Sequence, residues 1–149
     1  MRHIIYICSA ATKPSEQDLV NLLDQARTRN KRHNVTGMLL YEEDTYMQVL
    51  EGSHSDVGDI FASIQRDKRV DRMITLVDEA IDERDFPDWH MGFKDLRGAK
   101  PDELEGYCDF FDKEICREFA NEANTLAIDL LMSFSKDAAN LRPSPEEFV

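Results

Sequence analysis

A glutamine and a tyrosine each interrupt a run of residues that is otherwise apolar. Gln48 lies in the middle of residues 46–50, and Tyr6 lies in the middle of residues 4–8. Burying an amide without partners costs about 1–3 kcal/mol, so Gln48, if buried, must be hydrogen bonded. The spacing also fits a Gln48 on a solvated face or bonded to a neighbouring side chain, and a core Tyr6 whose hydroxyl reaches water. Both residues are candidates for a polar site, and both alternatives stay open at this point.

Basic side chains crowd the end of the first predicted helix, and they are Arg27, Arg29, Lys31, Arg32 and His33. Cations at a helix C-terminus complement the helix dipole, each by about 0.3–1 kcal/mol, and they need no ligand. The alternative is a local anion site, which would suit a phosphate-bearing cofactor better than a polymer. Asn30, inside this cluster, could instead be the capping residue of the helix.

Side chains that serve metal sites and acid–base catalysis are too scattered to indicate either. The four histidines lie far apart, and the sequence contains no His-Glu-x-x-His. Its three cysteines show no Cys-x-x-Cys spacing, and no glycine-rich phosphate loop is present. We therefore predict neither a metal ion nor an enzymatic activity.

Apolar periodicity places the candidate residues on strands and helices. The first helix follows Ser15, with Asp18 completing a capping box, and the second contains residues 57–64. Strands are predicted at residues 4–8, 36–41, 46–50, 73–77 and 89–93. The order β-α-β-β-α-β plus one strand indicates an α+β, ferredoxin-like fold, in which two helices cover one face of an antiparallel-rich sheet.

Two further groups of residues are ambiguous on spacing alone. Trp89, Met91 and Phe93 would share one face of the fifth strand, which core packing explains equally well. The second helix ends in a charged run from Arg66 to Arg69, and such a run in isolation indicates solvated charge.

The overall composition excludes several classes of partner. The 149 residues include 30 acidic and 18 basic side chains, for a formal net charge of −12. A negative surface opposes the phosphate neutralisation on which nucleic-acid binding depends, so DNA and RNA are not expected ligands. The chain has no run of about 20 apolar residues, and it starts with a strand-like segment instead of a secretory signal. We expect a cytoplasmic protein with no membrane partner.

The balance of charge changes after residue 100. The first 100 residues hold 14 basic and 18 acidic side chains, whereas the rest hold 4 and 12, so the latter part carries −8 of the net −12. An apolar stripe of helical period runs through Ile115, Phe119, Ala123, Leu126, Leu130 and Phe134. This stripe must pack on the uncovered face of the sheet or on another subunit. The expected organisation is a domain at 1–97, an acidic helical extension at 98–142 and a tail at 143–149.

The candidate residues also occur in an arrangement that is specific as a set. The run Tyr-Met-Gln-Val-Leu-Glu-Gly around Gln48 is followed by an Asp-x-Arg element and by Trp-His-Met-Gly. The residues concerned are Tyr6, Asn30, Gln48, Asp67, Arg69, Trp89 and Met91. This combination resembles the BLUF domain, the blue-light sensor using flavin, and the resemblance covers about residues 1–95.

The resemblance implies a bound flavin and a place for it. The flavin would be held noncovalently between the two helices, usually as FAD, with FMN or riboflavin as alternatives. Asn30 would anchor the carbonyl and imide edge of the ring. Asp67 and Arg69 would lie near its polar side, and Arg29 would lie beside the ring.

The resemblance also implies a blue-light photoreceptor in which Tyr6 and Gln48 are the photochemical pair. Excited flavin would take an electron and a proton from Tyr6. The amide of Gln48 would then rotate or change tautomer, and a new hydrogen bond to the ring carbonyl would shift the absorption to the red. Trp89 and Met91 would relay the change to the C-terminal helices, and from there to an effector protein or to a change of homo-oligomer. The alternative function is a flavin-free or light-insensitive protein-interaction module on the same fold.

Two positions depart from the family pattern. Cys8 stands two residues after the tyrosine, where the family commonly has serine, and Val70 replaces the histidine of a common Arg-His pair. A thiol is a weaker hydrogen-bond donor than a hydroxyl, so the pocket is expected to be tuned differently. Val70 leaves basic recognition to Arg69.

Overall fold

The computed structural model of this chain describes the backbone of residues 1–95 and the side chains of residues 1–93. Within them, five strands and two helices follow in the predicted order. Their bounds are β1 Arg2–Ala10, α1 Glu16–Arg32, β2 Thr36–Glu42, β3 Thr45–Gly52, α2 His54–Gln65, β4 Val70–Ala80 and β5 Gly92–Asp95. The β-α-β-β-α-β order with a fifth strand is thereby confirmed. The predicted extension at 98–142 and tail at 143–149 lie outside the described residues.

Both helices begin at a serine cap. Before α1, the Ser15 Oγ accepts from the Asp18 backbone N–H at 3.0 Å, and the Asp18 carboxylate accepts from the Ser15 N–H at 2.9 Å. This is the predicted capping box, which satisfies two N–H groups that the first turn leaves unpaired. The Ser53 Oγ accepts from the Asp56 N–H at 3.1 Å and caps α2 in the same way. No helix within residues 1–95 is long and apolar enough to cross a membrane.

The strands of residues 1–95 form one sheet in the order β4-β1-β3-β2-β5. Neighbouring strands are antiparallel except β2 and β5, which are parallel. The predicted hairpin joins β2 to β3 through Glu43 and Asp44, both at positive φ, which matches the twist of the two strands. In the centre of the sheet, the register of β1 and β3 sets Tyr6 directly opposite Gln48.

Side chains alternate between the two faces of the sheet, and one face packs against α1 and α2. The strand residues in this core include Ile4, Tyr6, Cys8, Leu39, Tyr41, Tyr46 and Leu50. Gln48 has the same parity as Tyr46 and Leu50, so it lies on the helix-covered face. Glu51 and its cross-strand partner His3 have the opposite parity and lie on the other face.

The fifth strand differs from its prediction. It begins at Gly92 and not at residue 89, so Trp89 precedes the strand and does not share a strand face with Phe93. The reason is local packing, because the Trp89 ring lies over the start of β5. A Cβ at position 92 would lie 2.3 Å from a carbon of that ring, and only glycine leaves the necessary space.

The end of the first helix also differs from one prediction. Asn30 is not the capping residue, since α1 continues to Arg32 and the C-cap is His33. The backbone N–H of His33 donates to the carbonyl oxygens of Arg29 and Asn30, at 3.3 and 3.2 Å. Asn30 therefore belongs to the last full turn of α1, where its side chain is buried.

Candidate functional site

The centre of the site is a hydrogen bond between Tyr6 and Gln48. Both side chains are buried, each with 3% of its surface exposed, so the solvated alternatives are wrong. The Tyr6 hydroxyl donates to the Gln48 Oε1 across the β1–β3 pair. At its other end, the Gln48 Nε2 donates to the Met91 Sδ at 3.3 Å.

The two hydrogen bonds of Gln48 are unequal. The Tyr6 hydroxyl is a strong donor, whereas a thioether sulfur is a weak acceptor. The amide could therefore leave Met91 at a small cost and accept another partner for its N–H group. Because an amide carries an acceptor at one end and donors at the other, turning it over rewires both contacts at once.

A narrow cleft lies above this pair, between α1 and the end of α2. Its volume is about 70 Å³. The residues that line it are Tyr6, Cys8, Leu22, Gln25, Ala26, Arg29, Leu39, Tyr46, Gln48, Ile64, Asp67, Arg69 and Val70. Five of the predicted site residues, namely Tyr6, Arg29, Gln48, Asp67 and Arg69, thus line one cleft.

Burial in the cleft keeps the Tyr6 hydroxyl and the Cys8 thiol protonated. Burial raises the pKa of Tyr6 well above its usual value, the nearby Cys8 raises it further, and the positive charge of Arg29 lowers it in part. Burial also raises the pKa of the Cys8 thiol to about 12. At neutral pH, the Tyr6 hydroxyl therefore stays protonated and can donate a hydrogen bond.

Arg29 faces the same cleft from α1. Desolvation lowers the pKa of its guanidinium, an effect that the nearby Tyr6 and Asp67 oppose. Its Nε is buried and has no hydrogen-bond partner among the described residues. A buried donor without a partner is a free contact for a ligand oxygen.

Asp67 and Arg69 form an ion pair at one end of the cleft. Their Nη2 and Oδ2 atoms lie 2.7 Å apart, and the hydrogen bond from Arg69 holds the pKa of Asp67 below its usual range. The Arg69 Nη1 also donates to the Gln25 Oε1 of α1 at 3.0 Å. Since α2 ends at Gln65, this pair lies in the connection to β4 and does not end the helix as predicted.

Asn30 lies one helical turn beyond Ala26, which lines the cleft. Its Nδ2 donates to the backbone oxygen of His90 at 2.7 Å. Its Oδ1 is buried and has no partner among the described residues, which leaves one acceptor for a ligand N–H. The family resemblance implies a ligand role for Asn30 but does not indicate its bond to residue 90.

Met91 and Trp89 occupy different places. The segment they share is held by its backbone, since the Gly37 N–H donates to the Trp89 oxygen at 3.0 Å and the Arg27 Nε donates to the Met91 oxygen at 3.0 Å. Met91 contacts Gln48, whereas the Trp89 ring stacks on Phe86 with centroids 6.4 Å apart. Trp89 also lines a separate surface cavity of about 400 Å³ beside α1.

The cleft suits a flat ring with alternating carbonyl and N–H groups, such as the flavin that the resemblance implies. The Arg29 Nε offers a donor, and the walls from Leu22, Ala26 and Ile64 are apolar. The unpartnered acceptor Asn30 Oδ1 belongs to a residue outside the cleft lining, one helical turn beyond Ala26. These donor and wall types fit the ring. The cleft volume of about 70 Å³ is below the roughly 300 Å³ of a small ligand site. Among residues 1–93, no group of three or more His, Cys, Asp and Glu side chains could hold a metal ion.

Sequence comparison identifies a family for most of the described part. The sequence model of BLUF, described as sensors of blue light using FAD, matches residues 1–92. The photoactivated adenylate cyclase subunit alpha of Euglena gracilis is 36% identical over 94 residues, which are 61% of this chain and 9% of that protein. The chain thus spans about a tenth of the length of the curated relatives it matches.

Structural comparison agrees with the sequence match. The structure of Klebsiella pneumoniae BlrP1 with FMN and cyclic diGMP matches with a TM-score of 0.75 and 27% identity. The superposed region covers 97% of this chain and 37% of the BlrP1 chain. The dark-state structure of BlrB, a BLUF protein, has a TM-score of 0.65 and 24% identity, and it covers 94% of this chain and 96% of that one. At the identity of BlrB, the likeness concerns the fold alone.

Proposed function

This chain belongs to the BLUF family of blue-light flavin photoreceptors, and we propose that it senses light through an exchange of hydrogen bonds at Gln48. The observation that carries the proposal is the pair of contacts made by one buried amide. Its oxygen accepts from the Tyr6 hydroxyl, and its Nε2 donates to the Met91 sulfur. A neutral group with two arrangements, each differing by a few hydrogen bonds, can store a light signal without any covalent change.

In this proposal, four side chains hold the flavin. Asn30 anchors the polar edge of the ring, Arg29 lies beside the ring, and the Asp67–Arg69 pair lies near its polar side. Support comes from the unpartnered Asn30 Oδ1 and Arg29 Nε and from the lining of the cleft. The family description names FAD, while the BlrP1 structure holds FMN, so FMN and riboflavin stay alternatives for this chain.

When bound, the flavin supplies the absorption of blue light and a reversible electron acceptor. Tyr6 would give up one electron and one proton to that acceptor. The hydroxyl proton would pass to the Gln48 Oε1 along their hydrogen bond while the amide releases one Nε2 proton in exchange, so that the amide stays neutral. The amide would thereby change tautomer, or turn over, and Nε2 would leave the Met91 sulfur. Return of the electron and the proton to Tyr6 restores the phenol and leaves Gln48 in its second arrangement.

Output is proposed to pass through the segment that precedes β5. Met91 contacts Gln48, and Trp89 is tied to β2 through its backbone oxygen. A change at Met91 would move this segment and β5, from which the chain continues into the acidic extension at 98–142. The matched region, residues 1–92, is a sensor domain. We propose that the chain has no catalytic activity and acts through a protein effector or a change of homo-oligomer.

Absorption spectroscopy tests the proposed function directly. The purified protein should be yellow, and blue illumination should produce a small red shift of the flavin band that reverses in darkness. A protein that stays colourless after mixing with FAD, FMN and riboflavin would contradict the proposal and favour the flavin-free interaction module. A yellow protein without a red shift would favour the light-insensitive alternative.

Met91→Leu should keep the red shift and change the lifetime of dark recovery several-fold. Leucine fills a similar volume, but it offers no acceptor to the Gln48 Nε2. The measurement is the decay of the red-shifted band in darkness. Met47→Leu is the matched control, because Met47 is equally buried in β3 but has the opposite parity to Gln48. Equal lifetimes in wild type and Met91→Leu would count against Met91 as the relay.

A further inference from the structure

Glu51, the acidic residue of β3, anchors the loop that leads to Met91. It is fully buried, and it lies on the sheet face opposite to Gln48. Its carboxylate accepts from the backbone N–H of Asp85 at 2.8 Å and of Phe86 at 2.6 Å. A third bond comes from the Thr36 hydroxyl at 3.1 Å. One carboxylate thus ties the loop to the sheet.

Asp85 is a buried carboxyl group without a hydrogen-bond partner in the described part of the chain. It is fully buried, and neither of its carboxylate oxygens has a hydrogen-bond partner among the described residues. Buried carboxylates are nearly always paired or hydrogen bonded, because an isolated buried charge is very costly. The absence of a donor therefore indicates that Asp85 is neutral over part of the physiological pH range.

The other charged groups near the pair do not compensate Asp85. The guanidinium of Arg84 donates to the Thr36 hydroxyl and to the backbone oxygens of Glu51 and Asn34, at 2.7–3.1 Å. His3 lies opposite Glu51 on β1, and its Nε2 is 2.9 Å from a carboxylate oxygen of Glu79. The buried Nδ1 of His3 has no hydrogen-bond partner among residues 1–93, and the charge of Arg84 acts on Glu51, but neither side chain donates a hydrogen bond to Asp85.

Glu51 and Asp85 differ in how readily each carboxyl group binds a proton. Burial raises the pKa of Glu51, but its three hydrogen-bond donors and the charge of Arg84 oppose this effect because they favour the charged carboxylate. Asp85 has no donor and is next to that charge. Burial, and then the charge of Glu51, raise the pKa of Asp85 to about 7. Asp85, which lacks such donors, is therefore the member of the pair that holds a proton more readily.

The anchored loop is mechanically connected to the site. The Trp89 N–H donates to the Phe86 oxygen at 3.3 Å, so the turn at 86–89 joins the anchor to the segment that carries Met91. The Trp89 ring stacks on Phe86 as well. A change at Glu51 and Asp85 can therefore reach the sulfur that contacts Gln48.

We propose that Glu51 and Asp85 form a carboxyl pair that holds one proton and positions residues 85–91, so that loss of this proton loosens the Met91 contact with Gln48. Glu51 is a positioning residue in this scheme, since it acts through Met91. The effect on light sensing rests on the proposed function, whereas the proton and the anchoring do not. With a pKa of about 7, the ionised fraction of Asp85 rises from about a tenth at pH 6 to about nine tenths at pH 8.

Two measurements that need no light test the pair. In NMR spectra of protein with labelled aspartate carboxyl carbons, one signal should titrate near pH 7 and be missing in Asp85→Asn. Exchange of the amide hydrogens of residues 85 and 86, corrected for intrinsic rates, should accelerate several-fold from pH 6 to pH 8 in wild type and stay level in Asp85→Asn. Asp82→Asn, which removes an exposed carboxylate from the same loop, should behave like wild type.

The pH dependence of stability has a definite sign. Folding raises the pKa of Asp85, so the folded state binds the extra proton between about pH 4 and pH 7. The free energy of unfolding should therefore fall as the pH rises through this window, and Asp85→Asn should make that fall smaller, the remainder coming from Glu51, whose pKa burial also raises. Dark recovery should slow several-fold between pH 6 and pH 8 in wild type, because the contact that restores the dark arrangement is weaker.

The outcomes separate the two proposals. An Asp85 midpoint below pH 5, or the same pH dependence of amide exchange in Asp85→Asn as in wild type, would overturn the carboxyl pair. A midpoint near 7 with recovery that is independent of pH would overturn its link to Gln48. Absence of a red shift at every pH would contradict the proposed function, while the two light-independent measurements would still decide on the pair.

Discussion

Tyr6→Phe is expected to bind flavin and to show no light-induced red shift. Phenylalanine keeps the ring that packs in the core, 5.5 Å from that of Phe61, but lacks the hydroxyl that donates to Gln48. The electron and proton that the mechanism takes from Tyr6 then have no source. The loss leaves the Gln48 Oε1 without its donor, and the free energy of unfolding should fall by about 1–3 kcal/mol. Absorption spectra before and after illumination, with a denaturant titration, measure both effects.

The matched control for this variant is Tyr41→Phe. Tyr41 is as buried as Tyr6 and lies on the same face of the sheet, but its hydroxyl donates to the Asp44 carboxylate and not to Gln48. Its variant should therefore keep a normal red shift. A normal red shift in Tyr6→Phe would refute the assignment of Tyr6, and loss of the shift in Tyr41→Phe would indicate a general effect of disturbing the core.

Gln48→Leu is expected to have the second large effect, a complete loss of the red-shifted state with flavin still bound. Leucine cannot exchange hydrogen bonds, so neither arrangement of the switch exists in this variant. The Tyr6 hydroxyl loses its acceptor, and stability should fall by about 1–3 kcal/mol. Gln65→Leu, an exposed change at the end of α2, is the control for adding leucine and should respond to light normally.

A double variant sharpens this second prediction. Tyr6→Phe with Gln48→Leu removes both partners of the hydrogen bond, and replacing both with apolar groups can be nearly neutral. The double variant should therefore be more stable than the sum of the single losses predicts. Additive losses of stability would contradict a direct bond between Tyr6 and Gln48.

The elements that hold the site were predictable because they follow local rules. Residues close together in the sequence determine each of these features. The features are the capping box of Ser15 and Asp18, the apolar spacing of both helices and the polar turn between two strands. The strand near residue 89 was predicted too early, because its start depends on how the Trp89 ring packs over Gly92. The alternation of side chains along a strand, from which the prediction was made, carries no information about that contact.

The candidate site could be predicted only in part. Periodicity placed Gln48 in a strand but left a solvated position open, and the resemblance to a family supplied its pairing with Tyr6. The bond from Asn30 to the His90 oxygen spans 60 residues, and no spacing rule indicates it. Glu51 and Asp85 went unnoticed as a pair, since a lone acidic residue at a strand end usually indicates solvated charge.

The amino-acid sequence by itself determined the order of strands and helices and the net negative charge of the chain. It also determined, through the alternation of side chains along a strand, which residues share a sheet face with Tyr6 and with Gln48. The tertiary structure alone decided that both side chains are buried and bonded, that Met91 and not Trp89 contacts the amide, and that Asp85 is buried without a donor. The reason is physical: periodicity and capping act over a few residues, whereas burial and hydrogen-bond partners depend on which distant segments the sheet brings together.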